Sequence, residues 1–265
     1  MKNRILAVVL MALTLVAARP VLAQESKPLG LAADLGLSSA YYFRGLNVFK
    51  KAEQADQHVL LAPSLTWTLP GLPLQVGYWG AFQLTGDNKS ALVDGGLGAE
   101  QDLWVGYTHN LRSDLTLSAI LTAYYYPLAD EKVAGTSHPL YLEPGVGIAW
   151  AGPVDAALKV YYMYGVQDAV KLGRYVYVNP TLGKTLGLTG AVALAASLSA
   201  GYKLFNESAL EDNRWDAGLT LALPVTLCSG WYVKPSISAV WTNLAGKALG
   251  DEVGYAGAVN IGTSL

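Results

Sequence analysis

The sequence predicts an all-β fold, a closed antiparallel transmembrane β-barrel of about twelve strands. Three observations support this prediction. The chain is 52% apolar and only 14% charged, whereas about 25% of the residues of an ordinary soluble protein are charged. Beyond residue 23, no segment reaches the roughly 20 consecutive apolar residues that a spanning helix requires. Instead, apolar residues recur at every second position, which places them on one face of a β-strand.

The first 23 residues have the pattern of a secretory signal. Lys2 and Arg4 form a charged start, an apolar run covers 5–18, and 21–23 reads Val-Leu-Ala, a small-residue cleavage site. We therefore expect an exported protein whose mature part, 24–265, is a single barrel domain.

The mature chain is acidic and contains one cysteine. Removal of the signal takes away three basic residues and leaves 15 basic against 20 acidic side chains, a net charge of −5. This charge argues against a nucleic-acid partner, which requires a basic surface. Because Cys228 is the only cysteine, an internal disulfide is excluded.

Twelve stretches show the alternation, and each is expected to form one strand. In the ninth, Val192, Leu194 and Leu198 share one face, while Ser197 and Ser199 share the other. In order, the apolar faces of the twelve stretches run over 35–43, 59–67, 74–84, 103–107, 115–125, 142–150, 158–164, 176–182, 192–204, 215–223, 231–241 and 255–265.

The connections between these stretches alternate in length. Short turns are expected at 70–73, 110–114, 152–155, 187–190 and 225–230. Longer polar links are expected at 45–57, 86–98, 128–138, 167–174, 206–214 and 244–254. This is the pattern of an even-stranded barrel in the bacterial outer membrane, with periplasmic turns and external loops. Both termini are then expected in the periplasm.

Aromatic residues near the ends of the apolar faces are expected to form the two interfacial girdles of such a barrel. Lys184 falls on an apolar face and is therefore expected near the periplasmic rim, where its ammonium reaches polar groups. The nine aromatic residues are Trp67, Tyr107, Tyr125, Trp150, Tyr202, Trp215, Trp231, Trp241 and Tyr255.

Residues 38–47 read SSAYYFRGLN. Tyr41, Phe43, Arg44 and Gly45 match a Tyr-x-Phe-Arg-Gly signature, and the segment resembles the opening strand of the TorF-type porin family of proteobacterial outer-membrane β-barrels. The resemblance implies a channel or porin.

Charged side chains on the polar face of the strands are the candidates for ion selectivity. Arg44 is the first of them: its guanidinium would either bias anion entry or form an internal salt bridge, for instance with Glu100 or Asp102. Both interpretations stay open at this point. The full set of candidates is Arg44, Asp102, Glu143, Lys159, Lys203, Asp216 and Lys234.

Aromatic rings are also frequent on the polar, lumen-facing side of the strands. Rings with hydroxyl groups would form a sliding surface for polar solutes, or they would simply fill a narrow interior. The candidates for this role are Tyr42, Trp79, Trp104, Tyr124, Tyr141, Tyr161, Tyr177 and Tyr232.

The sequence therefore favours a channel for passive diffusion of small polar solutes, with no cofactor and no metal. Its expected partners are outer-membrane lipids, the barrel assembly machinery and the solute, and it is either a monomer or an oligomer. A non-conducting barrel with a surface-binding or structural role is the alternative. An outer-membrane enzyme ranks third, since the residue two positions after each of His58, His109 and His138 is leucine, not the serine of a His-x-Ser pair.

Overall fold

The computed structural model describes residues 29–48, 59–84, 100–127, 139–166, 174–204, 214–228, 230–243 and 253–265. These residues form fifteen β-strands. The strands are β1 (Leu31–Ser38), β2 (Tyr42–Phe43), β3 (Leu46–Asn47), β4 (Leu60–Thr68), β5 (Leu74–Gln83), β6 (Glu100–Arg112), β7 (Leu115–Tyr125), β8 (Leu140–Trp150), β9 (Asp155–Gly165), β10 (Tyr175–Gly187), β11 (Ala193–Leu204), β12 (Arg214–Ala222), β13 (Val225–Cys228), β14 (Trp231–Thr242) and β15 (Val253–Ser264). The predicted signal at 1–23 lies outside the described residues.

Twelve long strands close into one antiparallel barrel. Neighbours along the chain pair from β4 to β12, β12 pairs with β14, β14 with β15, and β1 joins β15 to β4. In β1, Gly36 lies opposite Asn260 on one side and Ala62 on the other. The short β13 pairs with the start of β14. Closure leaves no unpaired edge among the twelve strands, as a sheet in hydrocarbon requires, and the twelve-stranded barrel is confirmed.

The two faces of each strand differ as the alternation predicts. In β7, Leu117 and Leu121 are exposed on the outer surface, whereas Thr122 and Tyr124 are buried inside the barrel. The outer surface is therefore an apolar belt of the kind that contacts lipid. Within the described ranges, no helix has the length and apolarity to cross a membrane.

The links at the two ends of the barrel differ in length, as predicted. We call the end with the links 69–73, 113–114, 151–154, 188–192 and 223–230 the turn rim, and the opposite end the loop rim. Lys184 reaches the turn rim, where its Nζ donates to the Gly152 carbonyl at 2.5 Å and to Asp155 Oδ1 at 3.3 Å. Its rim position is therefore confirmed.

The nine predicted girdle residues fall at the two rims. All nine are on the outward face of their strands, and all but Trp241 are exposed. Trp67, Tyr107, Trp150 and Trp231 lie toward the turn rim, and Tyr125, Tyr202, Trp215, Trp241 and Tyr255 lie toward the loop rim.

The first strand ends earlier than the alternation predicts. β1 stops at Ser38, whose Oγ donates to the Ala40 carbonyl at 2.8 Å, and the chain then turns into the barrel. Tyr41 and Phe43, predicted on the outer face, lie inside it, so this part of the prediction is wrong. Residues 41–48 form a small hairpin from β2 and β3, closed by a bond from Val48 N to Tyr41 O at 2.8 Å. We call it the lumen hairpin.

Candidate functional site: a hairpin across the lumen

The lumen hairpin turns at Arg44-Gly45. Both residues have positive φ, 50° for Arg44 and 79° for Gly45, as a two-residue type I′ turn requires. Glycine adopts this conformation freely, but an arginine there costs roughly 1–2 kcal/mol. Contacts around the turn must therefore stabilise the strained arginine.

One side of the hairpin packs on β4, β5 and β6. The hydroxyl of Tyr41 donates to Glu100 Oε2 at 3.0 Å, and its ring lies 5.4 Å from that of Trp79. Val48 is buried in the same cluster as Leu60. The root of the hairpin is therefore fixed by an apolar cluster and a hydrogen bond to a buried carboxylate.

The tip of the hairpin reaches β7 to β10. The ring of Phe43 packs edge-on against Tyr124, with 5.9 Å between centroids. Arg44 Nη2 lies 2.6 Å from Glu143 Oε2, and its Nη1 donates to Tyr175 Oη at 3.0 Å. The guanidinium carbon also lies over four rings, those of Phe43, Tyr161, Tyr175 and Tyr177.

The remaining wall, β12 to β15, also contacts the hairpin closely. A Cβ on Gly45 would lie 2.8 Å from Asp216 Cβ and 3.1 Å from Thr242 Cβ, so only glycine fits between them. The phenol of Tyr42 occupies the space that a side chain at Gly254 would fill. The hairpin thus spans the lumen from wall to wall toward the loop rim.

Most of the predicted lumen charges surround this hairpin. Arg44 pairs with Glu143, not with Glu100 or Asp102 as suggested, because the hairpin carries it across to β8. Asp102 is buried, and its Oδ1 has no hydrogen bond within the described part of the chain. The hairpin therefore lies among buried carboxylates.

The buried carboxylates are accompanied by buried cations on β11 and β12. On β11, Lys203 Nζ lies 4.1 Å above the Tyr175 ring. Near it on β12, the carboxylate of Asp216 accepts a hydrogen bond from the Tyr177 hydroxyl at 3.0 Å. Arg214 is buried opposite Lys203. Sequence reasoning missed Arg214, because it assigned 206–214 to a link.

Lys159 and Lys234 lie apart from this group. Both are on the inward face of their strands, but Lys159 is exposed and Lys234 half-buried. Their strands place them nearer the turn rim, opposite Asn179 and Asn260. The seven predicted charges therefore do not form one cluster.

Four of the predicted lumen rings lie against a glycine of the neighbouring strand. A Cβ on Gly145 would lie 2.5 Å from the Tyr161 ring. A Cβ on the glycine of each of the other three pairs would overlap the aromatic side chain in the same way. Because the rings occupy the missing side-chain space, they line the wall instead of projecting into the lumen. We call these four pairs glycine notches; they are Trp104 on Gly77, Tyr161 on Gly145, Tyr177 on Gly201 and Tyr232 on Gly262.

The other predicted rings contribute to the packing around the hairpin. Trp79 contacts Tyr41, and Tyr124 contacts Phe43. Tyr141 belongs to the buried cluster around Phe43. Tyr161 and Tyr177 also contact Arg44 of the hairpin, so part of the predicted set fills the interior there. The sliding surface for solutes stays a prediction.

Open space remains between the hairpin and the turn rim. A cavity of about 410 Å³ lies under the hairpin tip, lined by Thr122, Asn179 and Ser199 among others. A second space of about 440 Å³ lies at the turn rim, where Ser197 and Thr220 line it among several alanines. Hydroxyl and amide groups are thus present in the lining of this half of the lumen, together with glycine and alanine. In the described ranges, no cluster of His, Cys, Asp and Glu side chains is arranged to hold a metal ion.

Family comparison covers almost the whole barrel. The model of the Gcw_chp family, described as a bacterial protein of unknown function, matches residues 22–256. The chain belongs to the Gcw_chp family. No curated protein matches this Gcw_chp chain in sequence.

Solved structures with a similar fold include outer-membrane porins and channels. The KdgM porin superposes with a TM-score of 0.53 at 7% identity, covering 88% of the Gcw_chp chain and 99% of its own. The COG4313 outer membrane channel from Pseudomonas putida F1 gives 0.53 at 10% identity, with 93% and 100% covered. The NanC porin gives 0.52 at 10% identity, with 89% and 98% covered. At these identities the likeness shows a porin-type barrel fold.

Proposed function

We propose that this barrel is a bacterial outer-membrane channel for passive diffusion of small polar solutes. The glycine notches are the observation that carries the proposal. A narrow barrel without a passage is filled by its own side chains, whereas here Trp104, Tyr161, Tyr177 and Tyr232 lie against the wall. They leave space toward the turn rim, and the lining of that space includes hydroxyl and amide groups beside glycine and alanine.

The porin-type fold and the resemblance of residues 38–47 to TorF-type porins support the channel role. In this proposal 1–23 is a cleaved export signal, the turn rim and both termini face the periplasm, and the links of the loop rim face outward. The apolar belt contacts outer-membrane lipids after insertion by the barrel assembly machinery. The channel works as a monomer or an oligomer, performs no reaction and requires no cofactor.

A second function, a non-conducting barrel with a structural or surface-binding role, is favoured by the lumen hairpin itself. The hairpin contacts walls on every side, from Leu60 on β4 to Gly254 on β15. If no path remains beside it, solute cannot pass.

Single-channel conductance of the refolded mature protein in a planar bilayer distinguishes the two functions. A variant with 41–47 replaced by a flexible glycine-serine link tests the hairpin, and a variant with a shortened 128–138 link serves as the control. We expect steady conductance from the wild-type barrel, a larger conductance without the hairpin, and no loss in the control. A heat-modifiable, folded wild-type barrel that conducts nothing, beside a hairpin variant that conducts, would establish the non-conducting function.

A further inference from the structure

The guanidinium of Arg44 is enclosed almost completely. Its carbon lies 4.3 Å from the Tyr177 ring centroid and 5.2 Å from that of Tyr161. The distances to the Phe43 and Tyr175 centroids are 4.7 Å and 5.5 Å. With the Glu143 carboxylate at 2.6 Å, the Arg44 side chain is only 8% exposed. Aromatic faces combined with an anion are the surroundings in which proteins recognise organic cations.

Most of this enclosure belongs to the barrel wall and not to the hairpin. Glu143 projects from β8, Tyr161 from β9, and Tyr175 and Tyr177 from β10. We call these four side chains the cation cage.

Wall contacts position the cage without help from the hairpin. The Tyr161 ring lies in the notch at Gly145, and the Tyr177 ring lies in the notch at Gly201. Asp216 also accepts a hydrogen bond from the Tyr177 hydroxyl at 3.0 Å. Glu143 Oε1 accepts a hydrogen bond from the Tyr124 hydroxyl of β7 at 2.9 Å, and Lys203 of β11 lies over the Tyr175 ring. The wall therefore forms the cage, and the hairpin brings the cation that occupies it.

We propose that the cation cage is a binding site for organic cations of the guanidinium or ammonium type, which Arg44 occupies as a tethered ligand when the hairpin is docked. The proposal rests on the proposed channel function, since the solute reaches the cage through the lumen. The cavity of about 410 Å³ under the hairpin tip adjoins Arg44 and Glu143 and provides the approach.

The charges around the cage favour a cation. Among the described residues, the buried carboxylates are Glu100, Asp102, Glu143 and Asp216, and the buried cations besides Arg44 are Lys203 and Arg214. Once Arg44 leaves, Glu143 loses the cation with which it pairs at 2.6 Å, and its carboxylate then attracts a cationic solute and repels an anionic one.

Binding of a solute cation in the cage is coupled to release of the hairpin. The solute and Arg44 exclude each other, so each weakens the binding of the other by the same factor. The positive φ of Arg44, 50°, relaxes when the tip is released, which favours the exchange. The cage thus links the identity of the solute to the opening of the lumen.

Binding of methylguanidinium to the refolded barrel in micelles, measured by calorimetry, tests the cage directly. The tether holds Arg44 at an effective concentration in the millimolar range, so we expect Arg44→Ala to bind the probe roughly tenfold more tightly than the wild type. Arg112→Ala is the matched control. Arg112 also forms an ion pair, with Asp114 at 3.1 Å, but this pair lies at the exposed turn rim, away from the cage. It should bind like the wild type.

Conductance provides the second measurement. Millimolar methylguanidinium should reduce the current through Arg44→Ala, while sodium chloride at the same ionic strength should not. Arg44→Lys keeps the charge without the planar stacking group, so it should bind the probe with intermediate affinity. Its intermediate affinity tests the cage even if the alanine variant does not fold.

Equal affinity for the probe in Arg44→Ala, Arg112→Ala and the wild type would overturn the proposal. So would unchanged affinity after Glu143→Gln is added to Arg44→Ala, because the probe would then bind elsewhere. If no variant conducts but the expected order of affinities holds, the channel function fails and the cage stands.

Discussion

Arg44 and Glu143 form an ion pair inside the barrel, with 2.6 Å between Nη2 and Oε2 and side chains only 8% and 1% exposed. Arg112 and Asp114 form a similar pair at 3.1 Å at the turn rim, where they are 63% and 40% exposed. The two pairs share their chemistry and differ in burial. Because solvent screens only the second pair, their contributions to stability should differ widely.

Glu143→Gln should lower the free energy of unfolding of the barrel by about 3 kcal/mol, since it leaves a buried guanidinium without its counter-charge. Asp114→Asn is the matched control and should change it by about 1 kcal/mol or less. Urea titration of both variants in lipid vesicles measures the difference. Equal losses in the two variants would show that the lumen pair is no more important than a surface pair.

Gly77→Ala should displace Trp104, because a Cβ at residue 77 overlaps the indole. We expect a loss of about 1–3 kcal/mol in unfolding free energy, the usual cost of overpacking, together with lower conductance as the ring moves into the lumen. Gly257→Ala is the control, since no atom lies within 4 Å of its added Cβ. If the Gly77→Ala barrel had the same free energy of unfolding as the control, the glycine notch of Gly77 and Trp104 would be contradicted.

Ile237→Arg and Ser238→Arg place the same charge on opposite faces of β14. Ile237 lies in the middle of the strand on the apolar belt and is 64% exposed, so its replacement should cost about 2–4 kcal/mol in vesicles. On the lumen face, the hydroxyl of Ser238 is hydrogen-bonded to that of Thr220 on the neighbouring strand β12. An arginine at 238 should therefore shift the reversal potential toward anion selectivity. A stability loss at 238 as large as at 237 would mean that the two faces are wrongly assigned.

Cys228 tests the orientation of the barrel. It is exposed at the end of β13, at the turn rim, and the turn rim is proposed to face the periplasm. A maleimide linked to a large polymer should leave it unlabelled in intact cells and label it once the outer membrane is permeabilised. In a Cys228→Ser background, Ser208→Cys in the link between β11 and β12 should label in intact cells. The reverse pattern would invert the topology.

The sequence predicted the barrel because the two-residue alternation of side chains along a β-strand determines it. Residues such as Leu117 and Thr122 alternate between lipid and lumen along every long strand, so strand number, closure and the two rims follow from counting apolar faces. The girdle residues and Lys184 followed from the same counting. These features depend on the residue type at each position and on little else.

The lumen hairpin could not be predicted in the same way. Tyr41 and Phe43 continue the apolar alternation of β1, so the period alone places them outside. The one available signal was Arg44-Gly45, since a glycine at the second turn position is compatible with a type I′ turn, but arginine is not a usual first residue. Its positive φ is stabilised by Glu143 and Tyr175, which lie far away in the sequence.

The pairing of rings with glycines was also beyond sequence reasoning. Tyr177 and Gly201 meet because β10 and β11 are in one particular register, and an alternating pattern leaves register along the strands undetermined. Arg214 was missed for a related reason, because strand ends are less well marked by alternation than strand centres.

The contacts of the hairpin impose an order on assembly. Its partners extend from Leu60 on β4 to Gly254 on β15, so its complete docking site exists only after the barrel has closed. Contacts so distant in sequence form late, because the intervening chain must first be ordered. We therefore expect this hairpin, although it lies near the start of the chain, to be the last part of the barrel to reach its final position, so that the twelve strands first enclose a lumen without it.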